Sequence, residues 1–337
     1  MYEAFFGLRE RPFDLTPSPR YLVLTDSHRE ALRNLEYGIG SRKGITLLVG
    51  EAGSGKTTVI RAAIEMQPTR VHCVHLHNPT LSRDEFVEML AAKFSLSERA
   101  SRSKTSMLVE LEKLLADRRN QGETSVLIVD EAQSLPLDIL EEIRLLANIE
   151  TDDDKLLTVV IAGQPELAER LNGVALRQLK QRVALRCELG SLTRQETEAY
   201  IGGRIQAAGG TGANVFTREA IRVIHEAARG LPRTINVIAD NALLGGFAAG
   251  CQPVDHDIVT DVCRDFDLVK AAAVSDVRMG KTRAPLATTP PPQATTAPSD
   301  LRAEDVARDP VSGHEPPSEE MFGTFNPKRK KFSFFWN

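Results

Sequence analysis

Short apolar runs alternate with longer segments of helical periodicity over the first 190 residues of the chain. The runs are too short for helices and rich in Val, Ile and Leu, so they predict buried strands. The intervening segments repeat apolar residues three and four positions apart, which predicts amphipathic helices. The predicted strands cover residues 45–49, 71–76, 126–129, 156–162 and 183–189. Strands that alternate with helices predict a parallel sheet covered on both faces.

One more helix is predicted ahead of the first strand. Ser27 and Glu30 have the spacing of a capping box, in which two side chains satisfy the free N–H groups of a first helical turn. Leu32 and Leu35 follow at helical spacing, and Gly40 closes the segment. We therefore expect Ser27 to be the N-cap of this helix.

The pattern changes after residue 190, where four helical segments follow one another without a comparable apolar run between them. Thr193 and Thr217 stand at N-cap positions, and Gly230-Leu231-Pro232 breaks the chain between two of the segments. The predicted helices cover residues 194–208, 217–229, 233–249 and 254–266. We predict a helical domain over residues 191–268 that follows an α/β domain over residues 1–190.

Composition bounds the class of protein. The chain has 337 residues, of which 42% are hydrophobic and 26% charged, with a formal net charge of −4, as in a globular protein of about two domains. The acidic balance excludes a polycation that coats nucleic acid. The 4 cysteines form no CxxC pair, the N-terminus lacks the apolar region of a signal peptide, and no run reaches the ~18 apolar residues of a membrane span. We therefore expect a cytoplasmic protein.

Residues 269–337 differ in kind from the rest of the chain. They are rich in Pro and Thr and contain Pro290-Pro291-Pro292, which predicts a disordered linker without a core. Their end, from Lys328 to Trp336, is basic and then aromatic, although aromatic residues make up only 5% of the chain. Three interpretations stay open for residues 322–337: a peptide that docks on a protein partner, a contact with an anionic membrane, or an ordinary disordered end.

A phosphate-binding loop follows the first predicted strand. Its sequence fits the pattern GxxxxGK[ST] and lies between a strand and a helix, as such loops require. Glycines let backbone N–H groups curl around a phosphate, and the helix N-terminus adds partial positive charge. Lys56 is expected to reach the β- and γ-phosphates, and the Thr57 hydroxyl to ligate Mg²⁺. The predicted nucleotide-binding residues are Gly50, Glu51, Ala52, Gly53, Ser54, Gly55, Lys56, Thr57 and Thr58.

Two acidic residues end the third predicted strand. Asp130 and Glu131 follow the apolar run 126–129, and the carboxyl end of a parallel strand lies on the ligand side of an open α/β sheet. Asp130 is expected to hold Mg²⁺ together with Thr57, and Glu131 to orient and deprotonate the attacking water. The chain contains no NKxD sequence that would read guanine, so the predicted ligands are ATP and Mg²⁺.

These features together resemble the AAA+ ATPases, P-loop NTPases that have a five-stranded parallel sheet with helices on both faces and a helical lid domain. In detail, residues 1–268 resemble the general secretion pathway protein A family and its relatives among transposition ATPases. The sequences that carry the resemblance are Met1-Tyr2-Glu3, Phe6-Gly7-Leu8, Pro12-Phe13, Thr16-Pro17-Ser18-Pro19, His28, Ala31-Leu32, Asp130-Glu131-Ala132-Gln133, Gly163-Gln164-Pro165-Glu166-Leu167, Leu179 with Arg182, and Gly230-Leu231-Pro232-Arg233-Thr234-Ile235-Asn236.

The resemblance implies further site residues. Gln164 matches the sensor 1 region, which responds to the γ-phosphate, and Arg233 matches sensor 2, where an arginine of the helical domain reaches the phosphates. Arg182, or its neighbour Arg177, matches the arginine finger that one subunit offers to the next. Residues 13–21 match the lid segment that covers the adenine.

The resemblance also implies a homo-oligomeric ring whose Mg-dependent ATP hydrolysis powers or regulates a bacterial envelope process, such as secretion, pilus assembly or polysaccharide export. Such a protein is expected in the cytoplasm or at the inner face of the inner membrane. Two alternatives stay open, namely a DNA-associated ATPase of the transposition-regulator type and a nucleotide-gated scaffold with little turnover. Glu131 argues against the scaffold, and the acidic body of the chain argues against DNA.

Overall fold

A computed structural model describes residues 1–14, 24–68, 70–76, 81–152, 154–211 and 215–268. Within these ranges, five strands form one parallel sheet in the order β2-β3-β4-β1-β5. The strands are β1 Ile45–Gly50, β2 Val71–Leu76, β3 Thr124–Val129, β4 Thr158–Gly163 and β5 Val183–Leu189. The parallel α/β architecture that the apolar runs predict is therefore confirmed.

Helices separate the strands up to β5 and then follow one another. The helices around the sheet are α1 Asp26–Gly40, α2 Lys56–Glu65, α3 Arg83–Lys93, α4 Glu98–Arg102, α5 Lys104–Asn120, α6 Leu137–Leu146, α7 Pro165–Leu171 and α8 Arg177–Gln181. Those after the sheet are α9 Arg194–Ala207, α10 Arg218–Ala228, α11 Pro232–Ala249 and α12 His256–Asp265. Short 3-10 helices cover Ala132–Ser134 and Val174–Leu176.

The three central strands, β1, β3 and β4, are buried along their whole length, whereas β2 and β5 at the edges are partly exposed. Successive side chains of a strand point to opposite faces of the sheet. Leu47 accordingly packs in a core with α3, α5 and α6, while its neighbour Leu48 packs in a core with α1 and α2. Burial on both faces explains why the central strands are continuous apolar runs rather than alternating ones.

One local prediction is wrong, and one short helix was missed. Helix α1 begins at Asp26, because Thr25 rather than Ser27 is its N-cap and accepts a hydrogen bond from the backbone N–H of His28. Helix α4 was not predicted, because its five residues are too few to show helical periodicity. Ser97 caps this short helix by accepting a hydrogen bond from the N–H of Ala100.

The helices α9 to α12 enclose a core of their own, and the N-terminal segment contributes to it. Tyr2, Phe6, Leu8 and Phe13 are buried in the same cluster as the apolar faces of these helices. In the predicted domain division this segment accompanies the α/β part of the chain, yet its apolar side chains pack in the helical core. The domain limits near residues 190 and 268 stay predictions.

Arg204 of α9 fastens the end of the N-terminal segment. Its buried guanidinium donates to the carbonyl oxygens of Pro12 at 2.5 Å and Asp14 at 3.1 Å, and to the hydroxyl of Tyr200 at 2.7 Å. The same group lies over the ring of Phe13. A buried charge is tolerated here because its planar fork of N–H groups finds acceptors. Residues 12–14 are therefore held against α9.

No helix in the part of the chain that the structure describes is long and apolar enough to cross a membrane. All four cysteines are free thiols, of which Cys187 and Cys263 are buried and Cys73 and Cys251 are partly exposed. The tail that the sequence predicts to be disordered, residues 269–337, lies outside the described residues, and so does its basic-aromatic end at residues 322–337.

Candidate nucleotide site

The carboxyl ends of β1, β3 and β4 lie side by side, because β4 pairs with both of the other strands in parallel register. The glycine-rich loop that leaves β1 therefore lies at the same edge of the sheet as Asp130 and Glu131 after β3 and Gln164 after β4. Open α/β sheets bind their ligands at such an edge. The structure thus brings together the loop, the acidic pair and Gln164.

The loop between β1 and α2 has the backbone of a phosphate-binding loop. Gly53 and Gly55 adopt positive φ angles of +78° and +97°. Such angles are energetically unfavourable for any residue that has a side chain. The N–H of Ser54 donates to the carbonyl oxygen of Glu51 at 3.1 Å and closes a turn. Helix α2 begins at Lys56, so the partial positive charge of its N-terminus lies at the loop.

Lys56 folds back over this loop. The residue is 5% exposed, and its ammonium group donates to the carbonyl oxygens of Gly50 at 2.9 Å and Glu51 at 3.2 Å. Burial lowers the pKa of the ammonium, while nearby carboxylates act in the opposite direction. Because both acceptors belong to the loop, the lysine charge lies against the loop backbone. Of the other predicted loop residues, Ala52 is exposed and Thr58 is half-buried in the first turn of α2.

Thr57 and Asp130 meet across the site. The Thr57 hydroxyl donates to the Oδ2 atom of Asp130 at 2.9 Å, although the two residues are 73 positions apart in the chain. A hydroxyl oxygen and a carboxylate oxygen are the hard ligands that Mg²⁺ takes from proteins, with water and phosphate oxygens completing its octahedron. The chemistry of this pair therefore fits the predicted magnesium ligands.

Glu131 has an unusual backbone and is held by two amide groups. Its φ of 54° lies in the left-handed region, which is uncommon for a residue with a side chain and is found at functional sites. Its carboxylate accepts hydrogen bonds from Nε2 of Gln133 at 2.6 Å and from Nε2 of Gln164 at 3.2 Å. Burial alone would raise the pKa of this carboxyl, but the two amide donors and the charge of Lys56 outweigh it and lower that pKa.

Gln133 is a site residue for which the sequence predicts no role. Besides donating to Glu131, its side chain accepts a hydrogen bond from the backbone N–H of Gln164 at 3.1 Å. The guanidinium of Arg170 in turn donates to the carbonyl oxygen of Gln133. Gln133 therefore ties the end of β4 to Glu131. Its place in the sequence Asp130-Glu131-Ala132-Gln133 was the available signal, but spacing alone does not show which way a side chain after a strand points.

Arg233 lies against the phosphate loop. The N–H of Arg233, in the first turn of α11, donates to the carbonyl oxygen of Gly53 at 3.1 Å. A Cβ atom on Gly53 would lie 2.5 Å from the Cβ atom of Arg233, a distance that real Cβ atoms do not tolerate. The absence of a side chain at Gly53 therefore allows the helical part of the chain to contact the loop, and this contact places Arg233 beside the site.

Arg182 and Arg177 lie elsewhere. Arg182 directly precedes β5, and both arginines are exposed. The first residue of β5 is in register with Ile45 and the last with Gly50 at the start of the phosphate loop. At about 3.3 Å per residue, β5 separates Arg182 from that loop by roughly 20 Å, more than an arginine side chain extends. The structure therefore does not bring Arg182 to the nucleotide site of its own chain.

The segment predicted to cover the adenine is described only at its beginning. Phe13 is buried in the helical core and Asp14 follows it, whereas residues 15–21 lie outside the described residues. The described residues begin again at Leu24, next to Thr25, the N-cap of α1.

Comparison with known proteins finds a domain family and a curated relative. A model of the AAA domain family matches residues 39–171, which include the phosphate loop and the acidic pair. General secretion pathway protein A of Aeromonas hydrophila is 41% identical over 257 residues, which are 76% of this chain and 47% of that protein. The chain thus spans about half the length of this curated relative.

Solved structures show the same fold at low identity. ORC2 of Aeropyrum pernix, in its ADPNP–ADP complexes, matches with a TM-score of 0.59 at 16% identity and covers 76% of this chain and 71% of its own. Cdc6p of Pyrobaculum aerophilum matches with a TM-score of 0.53 at 17% identity and covers 71% of this chain and 66% of its own. At these identities the likeness concerns the fold alone.

Proposed function

Because the chain is an AAA-domain relative of general secretion pathway protein A, as its motifs indicate, we propose that it binds ATP with Mg²⁺ and hydrolyses the β–γ phosphoanhydride. The observation that carries the proposal is the meeting of Lys56, the Thr57–Asp130 pair and Glu131 at one edge of the sheet. These residues supply a phosphate cradle, oxygen ligands for a metal ion and a carboxylate base.

Binding rests on the loop and the first turn of α2. The backbone N–H groups of residues 55–57, at the N-terminus of α2, present partial positive charge to the phosphates. Lys56 exchanges its two carbonyl acceptors, on Gly50 and Glu51, for the β- and γ-phosphate oxygens. Thr57 and Asp130 would hold Mg²⁺, which when bound neutralises charge on the β- and γ-phosphates.

Glu131 acts as the general base. Because its pKa lies below the usual value, the side chain is a carboxylate at neutral pH and can accept a proton from water. Gln133 and Gln164 orient that carboxylate through their amide groups. Gln164 therefore serves the base directly, besides the contact with the γ-phosphate expected of a sensor 1 residue.

Two arginines complete the catalytic set in different ways. Arg233 reaches the phosphates within its own chain, since the N-terminus of α11 contacts Gly53. Arg182 acts in a neighbouring chain, because the length of β5 keeps it from its own phosphate loop. A guanidinium supplied in trans stabilises the charge of the phosphoryl group in transfer. This division of labour requires a homo-oligomer, and we propose a ring.

The process that the ATPase serves is proposed from its relative. General secretion pathway protein A points to an envelope process, and the segment 322–337 is the proposed docking site for a protein partner, with an anionic membrane surface as the other candidate. The proposed location is the cytoplasm or the inner face of the inner membrane. A pull-down with the full chain and with a chain lacking residues 322–337 tests the docking role, and identical sets of captured proteins would reject it.

Nucleotide binding and phosphate release test the activity itself. Wild-type protein is expected to bind a fluorescent ATP analogue with Mg²⁺ and to release phosphate from ATP, and Lys56→Ala to lose binding. Glu131→Gln is expected to keep binding and to release phosphate about 100- to 10,000-fold more slowly, the range for loss of a general base. Lys93→Ala, at the end of α3, is the control and should match wild type. Rapid turnover by Glu131→Gln would contradict the assigned base.

A further inference from the structure

His28, for which the sequence predicts no role, contacts the phosphate loop from helix α1. The residue is 3% exposed and lies in the first turn of α1. Its Nε2 atom is 3.1 Å from the carbonyl oxygen of Ser54, and its Nδ1 atom is 2.6 Å from the hydroxyl oxygen of Thr25. The imidazole therefore bridges the N-cap of one helix and the loop that precedes another.

The partners fix the tautomer of this imidazole. A carbonyl oxygen only accepts hydrogen bonds, so Nε2 must carry the proton that faces Ser54. Burial lowers the pKa of His28, against smaller contributions from the Ser54 carbonyl and the Glu196 carboxylate, and the neutral ring predominates at neutral pH. Nδ1 then accepts a hydrogen bond from the Thr25 hydroxyl, which thereby orients the ring.

Holding the Ser54 carbonyl also determines where the next N–H points. The peptide unit that joins Ser54 to Gly55 is planar and trans, so its C=O and N–H groups point in opposite directions. With the carbonyl directed at His28, the N–H of Gly55 is directed away from α1. Each N–H that is aimed in this way before binding is one that does not have to be reoriented on binding.

The space beside Gly55 matches this arrangement. A Cβ atom on Gly55 would lie 3.3 Å from Nε2 of His28, which is tighter than nearly all real Cβ contacts. Gly55 also has a φ of +97°, a conformation that glycine adopts without strain. The close approach of the His28 ring to the loop therefore depends on the absence of a side chain at Gly55.

We propose that His28 is a positioning residue of the nucleotide site, which holds the Ser54–Gly55 peptide so that the Gly55 N–H faces the phosphates. The proposal rests on the proposed nucleotide binding and adds a residue from outside the loop to it. Its effect is on nucleotide affinity, since the loop cradles the phosphates in the ground state as well as in the transition state.

Three substitutions separate the hydrogen bond from the bulk of the ring. The amide of Gln reaches the position of Nε2, whereas the amide of Asn reaches only that of Nδ1, and Leu fills the space without a donor. We expect His28→Asn and His28→Leu to weaken binding of a fluorescent ATP analogue about tenfold or more, the usual cost of an unsatisfied buried acceptor. We expect His28→Gln to bind within about threefold of wild type. Melting temperatures measured alongside show that all three variants are folded.

The outcomes are distinct. If wild type binds and His28→Asn binds equally well, or if His28→Gln loses as much affinity as His28→Asn, the positioning role is overturned. If wild type itself does not bind the analogue, the proposed function fails instead. Nitrogen chemical shifts of the His28 ring in wild-type protein give a test that needs no variant. Protonation at Nε2 is expected, and protonation at Nδ1 alone would contradict the hydrogen bond to Ser54.

Discussion

The two ends of the parallel sheet differ in how their charged side chains are held. At the carboxyl end, Lys56 is buried on its own loop, Thr57 is bonded to Asp130, and Glu131 is held by two amides. At the amino end, beside the start of β5, Arg177 and Arg182 are exposed. A side chain fixed beside the phosphate loop by internal contacts is ready to act within its chain, whereas an arginine that lies roughly 20 Å from that loop can act only on a nucleotide held by another chain.

This difference separates binding from turnover. All the residues proposed to bind ATP and Mg²⁺ lie within one chain, at the carboxyl end of its sheet. The arginine proposed to stabilise the transferring phosphoryl group lies at the other end, roughly 20 Å away by the length of β5. One chain alone should therefore bind nucleotide well and hydrolyse it poorly, and assembly should raise the turnover number rather than the affinity.

The largest effect is expected at the amino end of the sheet, where the proposed arginine finger lies. Arg182→Ala should lower the turnover number about 1,000-fold or more, as loss of an arginine finger does, and leave nucleotide affinity unchanged. Steady-state phosphate release and analogue binding measure the two quantities. Arg222→Ala, an exposed arginine of α10, is the matched control. If Arg177→Ala has the large effect and Arg182→Ala does not, the finger is Arg177 and the assignment to Arg182 is wrong.

A smaller effect is expected where Gln133 orients the base. Gln133→Leu removes the donor to Glu131 and the acceptor for the Gln164 N–H, so the turnover number should fall about 10- to 100-fold, less than the 100- to 10,000-fold that loss of a general base costs. In a chain that already carries Glu131→Gln, the same change should add little, because a residue that acts through Glu131 has nothing left to orient. Gln121→Leu, at the exposed end of α5, serves as the control. Equal losses in both backgrounds would show that Gln133 acts independently of the base.

The smallest predicted effect concerns the contact between Gly53 and α11. Gly53→Ala should lower the free energy of unfolding more than Gly122→Ala does. Both glycines have nearly the same positive φ, +78° and +76°, so each change costs about 1–2 kcal/mol of backbone strain. Only at Gly53 does a Cβ atom also meet Arg233; at Gly122 nothing lies within 4 Å. Chemical denaturation of both variants measures the difference, and equal losses would mean that α11 moves aside at no cost.

Much of the candidate site at the carboxyl end of the sheet could be predicted from the sequence, because each feature there has a local sequence signature. The phosphate loop is a contiguous pattern, and the apolar run before Asp130 indicates a buried strand by itself. All five strands were predicted, although β4 begins at Thr158 rather than at residue 156. The order of the strands was not, because the pairing of β1 with β4 and β5 joins segments far apart in the chain.

The contacts that surround these motifs could not be predicted, because they join distant residues through side-chain direction. His28 reaches Ser54, and Gln133 reaches Glu131 and Gln164, with no spacing rule that shows it. The sequence shows apolar residues at the start of the chain, but their spacing does not predict that Tyr2 and Phe6 pack against helices that follow residue 190. The N-cap of α1 was predicted wrongly at Ser27, because Thr25, two residues earlier, also has a side-chain hydroxyl and occupies the N-cap position.

Mixing two inactive variants tests the division between the ends of the sheet most directly. Lys56→Ala chains keep Arg182 but cannot bind ATP, and Arg182→Ala chains bind ATP but lack the finger. Phosphate release should be near zero for each variant alone and should reappear when the two are combined, since each Arg182→Ala site then receives an arginine from its neighbour. A mixture that co-assembles, as native mass spectrometry would show, and yet stays inactive would contradict the account.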